Sequence, residues 1–247
     1  HYRDYVQMLD AEKPDIVVLC SRHPLDHFSQ ITAAAERGIH VYCEKPITVS
    51  LEEADAIVEL VQQKQFKLCM AHPARYDAGF LQMKKMIEDG EIGRPLTIHG
   101  RGKCDHRGGG EDMMVLGTHI FDLQTFFFGK PESVWAEVLH DGNPIARKNT
   151  GKTVEPIGPT AGDDIFATFR FPCGIRGLFE SRRGLADPRK QQTHMGIAVI
   201  GTKGTLSMRF DDTGDSSLQI SRLPSPPDVD ARFEKVSVQD ERSIPGA

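Results

Sequence analysis

Residues 15–20, DIVVLC, form an unbroken apolar run, the pattern of a strand covered on both faces. Pro14 keeps a helix from running into it. Pro24 then opens a stretch in which Leu25, Phe28, Ile31 and Ala35 recur at helical spacing, and Gly38 stops it. Residues 39–43 read as the next strand. Ser50-Leu51-Glu52-Glu53 has the form of a capping box, and Leu51, Ala54, Ile57, Val58 and Val61 line the helix it starts. Residues 66–71 read as a third strand. Strands alternating with helices over short connections predict a parallel sheet with right-handed crossovers, half of a doubly wound domain.

The texture changes near residue 75. The pattern predicts a helix over 78–89 ended by Gly90, a strand over 95–102, and an amphipathic helix over 113–128 closed by Gly129. Strands dominate thereafter: 133–139, 164–171, 175–181, 196–200, 205–209 and 218–223, with Gly201-Thr202-Lys203-Gly204 as a hairpin turn. Residues 141–162 hold four glycines and three prolines and read as a long loop, as do residues 224–231. The fold class is therefore α/β, with a partial Rossmann domain over 1–74 and a strand-rich α+β domain over 75–247. No G-x-G-x-x-G follows a strand near the start, and Gly108-Gly109-Gly110 sits in no strand-to-helix phosphate turn. His1 follows no initiator Met, the last residues close no element, and the chain reads as the interior of a longer one.

Composition narrows the classes. The 247 residues are 39% hydrophobic and 26% charged, with a net charge of −5 and no basic block, which argues against a nucleic-acid partner. No apolar run approaches the ~20 residues that span a bilayer. The five cysteines include no CxxC, and Cys20, Cys43 and Cys69 fall in or at the end of apolar runs. They read as buried, reduced thiols in a cytoplasmic setting; an export signal upstream would lie outside this sequence.

Open parallel sheets bind ligands outside the carboxyl ends of their strands. Two motifs fall there: Ser21-Arg22-His23-Pro24-Leu25-Asp26-His27 after the first strand and Glu44-Lys45-Pro46 after the second. A partly desolvated lysine suits proton transfer, whereas a solvated Lys45 would simply pair with Glu44. A third motif is Gly117-Thr118-His119-Ile120-Phe121-Asp122. Four-residue spacing stacks Glu111, Val115 and His119 on one helix face, and Asp122 is placed to orient the histidine.

The order D-I-V-V-L-C-S, H-P-x-x-H, H-V-x-C-E-K-P, A-H-P-A-R-Y, G-T-H-x-x-D and G-T-K-G-T-L resembles the Gfo/Idh/MocA oxidoreductases over nearly the whole chain. The resemblance implies a Rossmann domain for NAD or NADP and a second domain with a large, mostly antiparallel open sheet. That second domain carries the substrate site and builds a homodimer or homotetramer. The implied reaction moves a hydride between nicotinamide and a hydroxyl carbon of a sugar, cyclitol or polyol. An NAD-dependent glycoside-cleaving enzyme and a catalytically silent sensor are the alternatives. Carried over, Lys45 and His119 are catalytic, Pro24, His27, Glu44, Lys45 and Arg75 line the cofactor, and Arg75 and His119 meet substrate. By its place at the first strand end Ser21 joins the cofactor-lining set, and the polar 104–112 loop offers Asp105, Glu111 and Asp112 to substrate hydroxyls, with its glycines opening amides to a ligand. No metal is expected, because the 104–112 loop meets no zinc spacing.

The sequence departs from the family pattern at three points. The aspartate of D-x-G-x-H is Val115, so either His119 works with Lys45 alone or a neighbouring acid, Glu111, Asp112 or Asp105, replaces it. The asparagine of N-x-R is Pro73. The first βαβ segment with its glycine fingerprint is absent, so N-terminal truncation and weak cofactor binding by these residues are expected.

Overall fold

A computed structural model of the chain describes residues 1–186, 195–210, 218–222 and 233–238. The chain divides into two compact units, residues 1–72 with 152–159, and residues 73–151 with 160–247.

The first unit alternates helix and strand: Tyr5–Glu12 (α1), Ile16–Leu19 (β1), Pro24–Ala35 (α2), His40–Cys43 (β2), Leu51–Lys64 (α3) and Leu68–Met70 (β3). The three strands pair in parallel in the order β1-β2-β3, with Ile16 opposite His40 and Val41 opposite Leu68. Ile31, Ala34, Val41, Cys43, Ile57 and Phe66 form its core.

Within these 247 residues Ile16 and Val18 of β1 are 57% and 59% exposed, and among the described residues the strand pairs only with β2. Two expectations change here. Cys43 is buried, but Cys20 and Cys69 are exposed. The capping box is half formed. The Ser50 hydroxyl accepts the Glu53 N–H at 3.3 Å, but the Glu53 carboxylate takes the Thr48 hydroxyl, and the Ser50 N–H goes to Thr48 Oγ1.

The second unit begins with a 3-10 turn at Pro73–Tyr76, then Ala78–Glu88 (α4), whose first N–H groups bond to Asp77, and Pro95–Arg101 (β4). The long helix starts earlier than expected. It runs as Gly110–Asp112 (α5), a π turn at Met113–Gly117, and Thr118–Phe128 (α6). Then come Ser133–His140 (β5), Asn143–Pro144 (β6), Asp164–Arg170 (β7), Arg176–Arg182 (β8), Gly196–Gly201 (β9), Thr205–Arg209 (β10), Gln219–Ser221 (β11) and Glu234–Lys235 (β12).

Among the described residues the sheet has nine strands in the order β12-β11-β10-β9-β4-β8-β7-β5-β6. Only the β4–β8 pair is parallel, so the sheet is mostly antiparallel as expected. One face buries Ile98, Phe179, Ile197, Val199 and Leu206 together with Phe80 and Met83 of α4 and Ile120 and Leu123 of α6. The opposite face carries Trp135 and Phe166, 58% and 39% exposed. The turn at 201–204 closes a hairpin, with the Gly201 N–H bonded to the Gly204 carbonyl at 2.8 Å.

The expected loop at 141–162 is ordered: it contains β6, a 3-10 turn at Arg147–Asn149, and a bridge between Gly151 and Thr160 that pinches off residues 152–159. Residues 224–231 lie outside the described residues, as do the last residues of the chain. Among the described residues, no helix is long and apolar enough to cross a membrane.

Candidate functional site

In the first unit the two motifs at the strand ends lie side by side. β1 and β2 end level, with Leu19 opposite Cys43, so the loops that follow leave from neighbouring points. The Glu44 N–H bonds the Leu19 carbonyl at 2.9 Å, which fixes the start of the second loop against the end of β1. The Lys45 N–H then meets the Glu44 carboxylate at 3.1 Å. Ser21, Glu44 and Lys45 are half-buried.

Ser21 organises the first loop. Its hydroxyl accepts the His23 N–H at 3.1 Å and lies 3.2 Å from the Asp26 carboxylate. Pro24 is buried at the first position of α2. His27, one turn on, is wholly buried, with its ring nitrogens against the carbonyls of Ser21, Pro46 and Ile47. Arg22 projects from the same loop and forms an ion pair with Glu155 of the 152–159 segment.

In the second unit, Arg75 and His119 belong to elements that pack together, the 73–76 turn and α6. The Arg75 guanidinium forms a two-point pair with Asp122, its Nε 2.6 Å and 2.8 Å from the two carboxylate oxygens and Nη2 2.6 Å from one of them. It also stands 5.6 Å over the Phe126 ring. Asp122 thus carries the arginine, a contact across 47 residues that no local spacing announces. His119 is half-buried in the first turn of α6.

A π turn at Met113–Gly117 lies between Glu111 and His119, so this stretch is not one regular α-helix. Val115 is 7% and Glu111 9% exposed.

The 102–112 loop is built inward. Asp112 is 0% exposed, and its carboxylate accepts the Lys103 and Cys104 N–H groups at 3.3 Å and 3.1 Å and the Ser181 hydroxyl at 2.5 Å. Asp105 takes the Arg107 guanidinium at 2.7 Å. Burial pushes the Asp105 carboxyl up, but the hydrogen bonds and charge of Arg107 outweigh it and hold the group below its ordinary value.

The glycines that were expected to open amides to a ligand lie instead against backbone. The Gly109 N–H goes to Ser181 Oγ at 3.0 Å and the Gly110 N–H to the Gly162 carbonyl at 3.1 Å. A Cβ at Gly109 would sit 2.3 Å from the Gly162 oxygen, so glycine is required there by chain crossing. Sequence reasoning also passed over His140, Asp141 and Asp163, whose ligand atoms lie within 4.8 Å of one another. The Asp163 carboxylate already accepts the Asp141 N–H at 3.2 Å and lies 4.0 Å from Arg183.

The comparisons with known proteins follow the same division. Residues 1–72 match the GFO_IDH_MocA model, the oxidoreductase family with an NAD-binding Rossmann fold, and residues 80–207 match the GFO/IDH/MocA C-terminal domain. The myo-inositol 2-dehydrogenase of Thermotoga maritima is 26% identical over 212 residues, 83% of this chain and 59% of its own length. An uncharacterized oxidoreductase of Schizosaccharomyces pombe is 32% identical over 207 residues, 73% of this chain and 56% of its own. The chain thus spans little more than half the length of these relatives. A levoglucosan dehydrogenase solved with NADH and levoglucosan superposes with a TM-score of 0.70 at 24% identity, covering 95% of this chain and 64% of that one. An inositol dehydrogenase homolog from Azotobacter vinelandii, solved with NADH and myo-inositol, also gives 0.70, at 20% identity, covering 95% and 60%. At these identities the two structures establish the shared fold.

Proposed function

The chain belongs to the Gfo/Idh/MocA oxidoreductase family, and from that premise we propose that the complete protein is a nicotinamide-dependent dehydrogenase. It would act on a hydroxyl carbon of a sugar, cyclitol or related polyol. The observation that carries this reading is Glu44-Lys45, half-buried where β2 ends beside β1, the place at which an open parallel sheet takes its ligand. The residues present fit the nicotinamide end of such a cofactor: the Ser21 hydroxyl, the Glu44 carboxylate and the Lys45 ammonium supply polar groups at two adjoining strand ends. The G-x-G-x-x-G turn that cradles pyrophosphate does not occur in these 247 residues. NAD is the cofactor the family description names, and NADP stays in the screen below.

Bound nicotinamide would supply the hydride chemistry. Lys45 Nζ hydrogen-bonds the reacting hydroxyl and takes its proton during oxidation, or returns it during reduction. In the second unit, His119 and Arg75, the latter paired with Asp122, are the groups that the family resemblance assigns to substrate. Relatives of the chain include a myo-inositol 2-dehydrogenase and a levoglucosan dehydrogenase, and polyols of that kind set the substrate class. The open face of the nine-stranded sheet, with Trp135 and Phe166 outward, is the surface through which two copies would associate.

A second reading, a sugar-binding sensor without turnover, is favoured by Val115, a buried apolar side chain where the family pattern has its aspartate. A screen of the complete protein with NAD and NADP against pyranosides, aldoses and inositols, following reduced-nicotinamide absorbance, separates the two. Turnover that falls about 10²–10⁴-fold in Lys45→Ala and His119→Ala bears out the enzyme. Sugar binding without oxidation establishes the sensor, and wild-type turnover in both variants overturns the residue assignment.

A further inference from the structure

We propose that His27 is a positioning residue for Lys45, a buried imidazole that sets the loop after β2 against the loop after β1. The inference rests on the reading of Lys45 given above. The ring is 0% exposed. Its Nδ1 lies 3.0 Å from the Pro46 carbonyl oxygen and 3.2 Å from that of Ile47, the two residues that follow Lys45. Its Nε2 lies 3.0 Å from the carbonyl oxygen of Ser21. Three carbonyls from two loops therefore converge on one side chain carried by a third element, α2.

The residue type follows from the geometry. An imidazole has polar atoms on two separate edges, so one ring reaches both loops; either tautomer donates to one side and the doubly protonated ring to both. The contact to Pro46 is buried and those to Ile47 and Ser21 are part-buried, so the Pro46 carbonyl is the one least able to turn to water when the donor is lost. Further ties of the Lys45 loop include the Glu44 N–H to Leu19, the Lys45 N–H to Glu44, and Thr48 to Glu53 of α3. His27 supplies the link from α2 to the residues just past Lys45. A ring so enclosed acts on a ligand through the loops it holds, so the second histidine of H-P-L-D-H shapes the site without touching what binds there.

Two substitutions separate the edges of the ring. Asparagine places its amide nitrogen near the Nδ1 position and glutamine near the Nε2 position. In the complete protein, His27→Gln keeps the Ser21 side and frees Pro46 and Ile47. We expect kcat to fall about 10²-fold, the cost of an ångström-scale misplacement, with the cofactor KM moving less than about threefold. His27→Asn keeps the Lys45 side, and its loss of kcat is about tenfold or less.

Hydrogen exchange on the same variants provides a readout independent of turnover: amides of residues 44–48 exchange faster in His27→Gln than in His27→Asn. Equal kcat losses in both variants that merely follow loss of folded protein would overturn the proposal. So would a rise in cofactor KM alone, which would mean direct contact. Unchanged exchange across 44–48 in His27→Gln removes the tie itself. Faster exchange in His27→Gln with full turnover in Lys45→Ala overturns the catalytic reading of the lysine and with it this role for His27, while the tie remains.

Discussion

Asp105 and Arg107 form a charge pair with side chains only 5% and 13% exposed. Removing one partner of such a pair leaves the other charge buried. Asp105→Asn should therefore lower stability by about 3 kcal/mol, read from denaturant midpoints near neutral pH. The pH dependence has a definite sign. The folded-state pKa of Asp105 lies below the ordinary 3.8, so the pair's contribution is present above that value and is lost as pH falls through the lowered one. The acid limb of the stability curve should flatten in the variant. Thiols give a second residue-scale test. Burial pushes Cys43 up to about 12, whereas Cys20, Cys69 and Cys173 are exposed. Alkylation of the folded chain followed by mass spectrometry should label those three and spare Cys43 until unfolding. The sequence shows where each cysteine sits along a strand but not which side of the strand is covered, so it does not separate the exposed Cys20 and Cys69 from the buried Cys43.

At the scale of elements, periodicity located the helices well and their internal geometry poorly. The helix expected over 113–128 is there, but it begins at Gly110 and carries a π turn at 113–117. Apolar side chains in that stretch look the same in an α or a π turn. The turn ends at Gly117, where a Cβ would stand 3.0 Å from Phe179 of the sheet beneath. Gly100 of β4 is tighter still, since a Cβ would come within 2.2 Å of Ile120 and 3.0 Å of Gln124 on α6. Gly100→Ala should lower stability by about 1–3 kcal/mol through overpacking, measured by thermal or denaturant unfolding. At the start of α3, Ser50→Ala should cost about 1 kcal/mol. Glu53→Ala acts differently, because its carboxylate serves Thr48 rather than the helix end.

At the scale of the whole molecule, the first unit is assembled from two stretches of chain, residues 1–72 and the distant 152–159. The Arg22–Glu155 pair joins them across 133 residues. The open face of the large sheet gives the remaining prediction, which tests the association proposed for it: Trp135→Glu should weaken self-association of the complete protein by about tenfold or more in sedimentation, since aromatic side chains carry much of the affinity where they are covered. By itself the sequence determined the alternating first unit, the strand-rich second unit, the hairpin at 201–204 and the placing of Lys45 at a strand end. These follow from short-range periodicity and turn chemistry, which a chain carries locally. Only the tertiary structure decided that Asp112 turns inward, that Asp122 meets Arg75, and that His27 spans the two loops. Each of those depends on partners brought together from separate parts of the chain, and burial and hydrogen-bond satisfaction are settled only when the chain has closed on itself.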